Sequence, residues 1–147
     1  MNSQTLITLI AGILPAILFG VSGVLIKSST QAGIGIPAYL VIVGLGSVVT
    51  GILFYFLYEP DTNLSLKSGC YASLVGVTGA LGGSIIVIAL SRFQVPLSKL
   101  VPLANMNTLI AVLLGLWLFA EWKTVSLPPL LLGAAFIILG GILVSNA

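Results

Sequence analysis

The sequence predicts an all-α membrane protein, a bundle of five transmembrane helices, and three observations carry that fold class. The first is the solvent it demands. Of the 147 residues, 59% are hydrophobic and only 5% are charged, with a mean hydropathy of +1.25. Soluble domains carry about 25% charged residues, so this chain has too little polar surface for water. The second is length: five unbroken apolar runs, at 5–26, 36–58, 69–90, 97–119 and 127–145, are each close to the ~20 residues that cross a ~30 Å hydrocarbon core. The third is where the charges fall. Lys27, then Glu59, Asp61 and Lys67, then Arg92, then Glu121 and Lys123 all sit in the gaps, and only Lys99 lies inside a span. Strands of a membrane barrel would alternate over ~10-residue segments. Residues 1–147 therefore read as a single five-span domain.

The spans justify themselves in order. The first has no positive n-region before it and is too long for a signal-peptide core, so it is expected to be retained. Gly12, Ala16, Gly20 and Gly23 fall on one of its faces, Lys27 continues that face, and Pro15 predicts a kink. Pro37 opens the second span, where a missing N–H costs little, and Gly44, Ser47 and Gly51 lie further along it. The third carries Gly69, Ser73, Gly76, Ala80 and Gly83, with a formal GxxxG at Gly79 and Gly83. Pro128 and Pro129 open the fifth, which has Gly133 and Gly140 seven residues apart on one face. Small residues let helices approach closely in lipid, so Gly20, Gly23, Gly76, Gly79, Gly83, Gly133 and Gly140 are the expected helix-packing positions. Tyr39, Tyr55, Tyr58, Trp117 and Trp122 cluster near span ends and read as an interfacial belt.

Composition also excludes. With no histidine, one cysteine (Cys70) and three scattered carboxylates, a metal centre or a catalytic cluster has almost no raw material. No enzyme activity, cofactor or metal is expected, nor is nucleic acid among the partners. The sequon at Asn63 reads as chance. Orientation rests on the cations of short loops. Lys27, Arg92 and Lys99 stand on one side against Lys67 and Lys123 on the other. That small excess favours an external N-terminus, and insertion in both orientations fits equally well.

The fourth span holds the least expected residues. On a continuous helical wheel, Ala104, Asn107, Thr108, Ala111 and Gly115 share one broad side, continued by Asn105, Ser98 and Pro102. Leu103, Met106, Ile110, Leu113 and Trp117 occupy the other, with Lys99 snorkelling to the headgroups. Pro102 predicts a kink or freed carbonyls. The two amides therefore face protein or a water-filled cavity. Either they bond neighbouring helices, or they offer hydrogen bonds to a polar solute near the midplane. Asn105 is the preferred ligand-facing amide, and Lys27 is placed at a cavity mouth.

Two segments carry a family likeness. FGVSGVLIK (19–27) resembles the first-helix W-G-x-x-x-x-x-x-K pattern of EamA domains in the drug/metabolite transporter superfamily, with Phe19 in place of Trp. The segment from VPLSKLVPLANMNTL to GGILV resembles the end of such a domain. This resemblance aligns Glu121 with the family's loop glutamate and Gly133 and Gly140 with its last-helix glycines, and implies a structural loop role for Glu121. It further implies half of an inverted-repeat transporter. A single five-span chain would complete that architecture by pairing with an inverted copy as an antiparallel homodimer. The related four-span carriers place an acidic proton-binding residue in the first helix. No carboxylate lies within these spans, which disfavours proton antiport.

The resulting expectation is a small-solute carrier of the cell (inner) membrane, a metabolite or drug transporter working by alternating access. Its partners would be the lipid bilayer, a second copy of itself and a small polar solute. Asn105, Asn107, Thr108, Ser84 and Lys27 are the candidate substrate contacts. The alternative is a non-transporting membrane subunit, or a lipid-handling protein whose glycine faces serve only assembly.

Overall fold

The structure, a computed structural model, describes residues 3–57 and 64–146. Tyr58, Glu59, Asp61 and the Asn63 sequon lie outside the described residues. Among the described residues the chain is all-helical, with no strand. In order come α1 (Ser3–Gln31), α2 (Ile36–Leu57), α3 (Leu66–Ser91), α4 (Leu97–Ala104), α5 (Asn107–Leu118), a 3₁₀ turn (Glu121–Lys123) and α6 (Leu127–Ser145). Five stretches are long and apolar enough to cross a membrane, the fourth being α4 and α5 together (Leu97–Leu118). The chain is a multi-pass membrane protein.

Helix ends depart from the apolar runs where local hydrogen bonding extends them. α1 continues to Gln31, so Lys27 lies inside the helix and not in a loop. Its stop is a Schellman arrangement. Ile34 N–H donates to the Ser29 carbonyl (3.3 Å), Gly33 N–H donates to that of Thr30 (3.1 Å), and Gly33 takes φ +86°. Only glycine adopts that conformation without penalty. α3 begins at Leu66 because Ser65 caps it: Ser68 N–H donates to Ser65 Oγ and Ser65 N–H donates to Ser68 Oγ, both at 3.1 Å. This reciprocal pair is a capping box with serine in the acidic position, and it draws Lys67 into the first turn.

The chain forms two compact units, Met1–Gln94 and Val95–Ala147. In the first, α3 packs against both α1 and α2. Its buried residues, Gly23, Tyr39, Val87 and Leu90, all gather where α1 ends, α2 begins and α3 ends. Beyond that end the helices stand open: every residue from 41 to 57 and from 70 to 82 is exposed. The short connection after Gln31 joins α1 to α2 at this packed end. Tyr39, near the start of α2, is 9% exposed and belongs to this core.

Exposed hydroxyls in these helices have an internal solution to the lack of water. Ser22, Ser47, Thr50 and Thr78 each donate to the carbonyl four residues earlier, at 2.8–3.1 Å. A hydroxyl so bonded presents little unsatisfied polarity to lipid.

In the second unit α4 packs against α6, and the 3₁₀ turn folds back on α5. Pro128 and Pro129 lie in the first turn of α6, as the sequence indicates. Of the glycines marked for helix packing, Gly23 is buried. At Gly20, Gly76, Gly79, Gly83, Gly133 and Gly140 no atom lies within 4 Å of where a Cβ would stand.

Candidate functional site

The fourth span is not one helix. α4 ends at Ala104, Asn105 is its C-cap, and α5 starts at Asn107. Across the junction the α-helical ladder gives way to tighter i→i+3 bonds. Met106 N–H donates to the Leu103 carbonyl (3.1 Å), Thr108 N–H to that of Asn105 (3.1 Å) and Leu109 N–H to that of Met106 (3.0 Å). Such a 3₁₀ stretch within a span marks a strained sequence or a hinge. Its causes are legible in the residues. Pro102 has no N–H to offer the preceding turn. Asparagine at 105 and 107 is a poor helix former because its side chain competes for the backbone. The continuous wheel drawn from sequence therefore does not apply through residues 105 and 106.

This break brings Asn105, Asn107 and Thr108 together. All three are exposed. The Thr108 hydroxyl donates to the Asn105 carbonyl at 2.9 Å, so it retains only acceptor capacity for any ligand. Among the described residues neither the Asn105 nor the Asn107 side-chain amide has a protein partner. Each offers two donors and an acceptor. Of the two uses that the sequence leaves open, bonding a neighbouring helix is not the one realised within this unit.

The other two candidates belong to the first unit, at its packed end. Ser84 is half-buried on α3, and its hydroxyl donates to the Ala80 carbonyl at 2.7 Å. Lys27 is half-buried on α1 one turn before the helix ends. Near it lies a polar pocket of about 400 Å³ lined by Thr30, Gln31, Leu90, Ser91 and Gln94, where the C-terminal ends of α1 and α3 meet. Gln94 takes φ +51°, and its side-chain N–H donates to the Ser91 carbonyl at 2.7 Å. Nothing in the apolar pattern marked this pocket. Its constituents are the residues at and just past the ends of two apolar runs.

Two side-chain placements could not be read from sequence. Met106, assigned to the lipid-facing side, is half-buried and sits over Gly141 of α6. Its Sδ lies 3.1 Å, and its Cγ 3.5 Å, from where a Cβ on Gly141 would stand. Gly141 is buried, whereas its neighbour Gly140 is open. Glu121 folds back over α5. Its Oε2 lies 2.8 Å from the Cβ position of Gly115, a contact only glycine leaves room for. The Glu121 carbonyl also accepts from Thr124 N–H (2.9 Å), Val125 N–H (3.1 Å) and the Thr124 hydroxyl (3.0 Å). Glu121 thus organises the turn between α5 and α6. Lys99 is half-buried on α4.

No protein-family model, no curated protein and no solved structure matches this chain.

Proposed function

We propose that this protein is a small-solute carrier that works by alternating access as an antiparallel homodimer in the cell (inner) membrane. The observation that carries the reading is the broken fourth span, with two unpartnered amides flanking the break. A membrane-spanning segment gains nothing from exposing two amides to lipid, and interrupted helices are where transporters build solute sites near the midplane. Asn105 and Asn107 together supply both donors and acceptors, which suits a neutral or anionic polar metabolite. Two further features support carriage. Among the described residues the buried positions of the first unit gather at one end, and the near balance of loop cations permits insertion in either orientation. The resemblance of 19–27 and of the last two spans to EamA domains points the same way.

The test is solute-dependent stabilisation of the purified protein against a panel of polar metabolites. A solute at a hundredfold excess over its Kd stabilises a protein by about 2.7 kcal/mol. Some member of the panel is expected to raise the melting temperature of the wild type and to leave Asn105→Ala unmoved. If no solute acts, the reading fails and the non-transporting subunit takes its place. Assembly is tested separately. In a Cys70→Ser background, a cysteine replacing Ala147 is labelled from outside intact cells with an impermeant reagent. Partial labelling that completes only on lysis supports dual insertion. All-or-none labelling sinks the antiparallel dimer.

A further inference from the structure

We infer that Met106, seated over Gly141, is the pivot that aims the two amides of the broken span, which makes Met106 and Gly141 positioning residues for the site proposed above and so rests on that reading. Three consecutive residues at the junction, Asn105, Met106 and Asn107, diverge by about 100–120° per step, the rotation of α and 3₁₀ geometry. Directing the middle one at α6 turns the outer two away from α6, one to each flank. The exposures agree: Met106 is half-buried, and both asparagines are exposed. The seat is specific to one glycine. A Cβ at Gly141 would stand 3.1 Å from Met106 Sδ, whereas one at Gly140 would meet nothing within 4 Å.

The chemistry of the two partners suits a pivot. Methionine is unbranched with a polarizable thioether, so it can keep contact while rotating. Glycine presents backbone alone, so the thioether rests on a surface without a side chain of its own to move. Across the junction the backbone is held by i→i+3 bonds, whose poorer geometry makes it the softest point of the span. A side-chain anchor at that point fixes the direction of α5 relative to α4 without stiffening either helix.

The seat can be tested by cross-linking. The Sγ of a cysteine at 106 would occupy the place of Met106 Cγ, which lies 3.5 Å from the Cβ position of residue 141. That is close to disulfide geometry. In a Cys70→Ser background, Met106→Cys with Gly141→Cys is expected to oxidise to a disulfide in native membranes. Met106→Cys with Gly140→Cys is expected not to. Absence of the first bridge, or equal formation of both, would overturn the seat.

A second measurement separates aiming from mere packing. Asn105→Cys and Asn107→Cys are modified with a small water-soluble thiol reagent, each in the Cys70→Ser background, with Gly141 intact and with Gly141→Ala. Filling the seat is expected to change the ratio of the two rates by about fivefold or more, the low end of what one discrete rearrangement produces. An unchanged ratio, or no reaction at either position in either background, overturns the inference. Neither measurement uses a solute. A protein that responded to no metabolite would therefore remove the carrier reading while the pivot was still decided on its own terms.

Discussion

The first and fourth spans contain the same perturbation and respond differently. Each has a proline well inside it, Pro15 in the first and Pro102 in the fourth. α1 nonetheless runs unbroken from Ser3 to Gln31, whereas the fourth span divides at Asn105 and Met106, three residues after its proline. The neighbours of the two prolines account for the difference. Pro15 is succeeded by Ala16, Ile17 and Leu18, apolar residues with no side-chain claim on the backbone. Pro102 is succeeded at +3 and +5 by Asn105 and Asn107. A proline removes one ladder bond, and lipid gives the chain every reason to close around that defect. Asparagine is a poor helix former, so the segment after Pro102 holds the α-helical ladder less well than the apolar segment after Pro15. The break falls where the residues after the proline are asparagines, and the span stays whole where they are apolar.

The largest expected effect comes from transplanting that difference. Leu18→Asn with Gly20→Asn reproduces in α1 the spacing found after Pro102. It should destabilise the protein by about 3 kcal/mol, through lost apolar transfer and an amide placed in lipid. Hydrogen exchange should then quicken after residue 15. Exchange that stays slow would mean that sequence around the proline does not govern the break. Next in size is the seat on α6. Gly141→Leu should cost about 2 kcal/mol by overpacking against Met106, whereas Gly140→Leu should stay within about 0.5 kcal/mol; denaturant unfolding in detergent reads both. Equal costs would sink the distinction between the two glycines.

Smaller effects sharpen where the fourth span stops. Ala120 lies just beyond α5 with φ +53° and ψ +34°, a left-handed conformation that penalises any side chain. Ala120→Gly should stabilise by about 1 kcal/mol, seen as a raised unfolding midpoint, and a lowered midpoint would show that the turn tolerates alanine without strain. Gly115→Ala should change stability by less than about 0.5 kcal/mol. A gain in helix propensity offsets the displaced Glu121 side chain, whose flexible end can swing away. A loss well beyond that would give the Glu121 contact a structural weight that its exposure does not suggest.

Much of the fold was legible because hydrocarbon is an exacting solvent. The five spans and the proline-led starts of α2 and α6 come from residue type and spacing alone. A proline inside a span does not by itself mark a break, since α1 runs unbroken through Pro15 and the fourth span divides after Pro102. The candidate site was legible in part. Asn105, Asn107 and Thr108 stand out as polar residues in an apolar run, but their wheel assumed a continuous helix. The burial of Tyr39 was not legible, because an aromatic near a span end suits an interface and a core alike.

Sequence by itself determined that this chain crosses a membrane with five apolar segments, and where each begins and ends to within a few residues. Those features depend on length, hydropathy and local backbone chemistry, all of which are carried by neighbouring residues. Tertiary structure alone decided that Met106 rests on Gly141, that Glu121 lies over Gly115, and that the first unit packs at one end through Gly23, Tyr39, Val87 and Leu90. The reason is physical. In water, an apolar face announces which side of a helix is buried; in lipid, outward and inward faces are equally apolar, so the pattern is silent about which residue meets which.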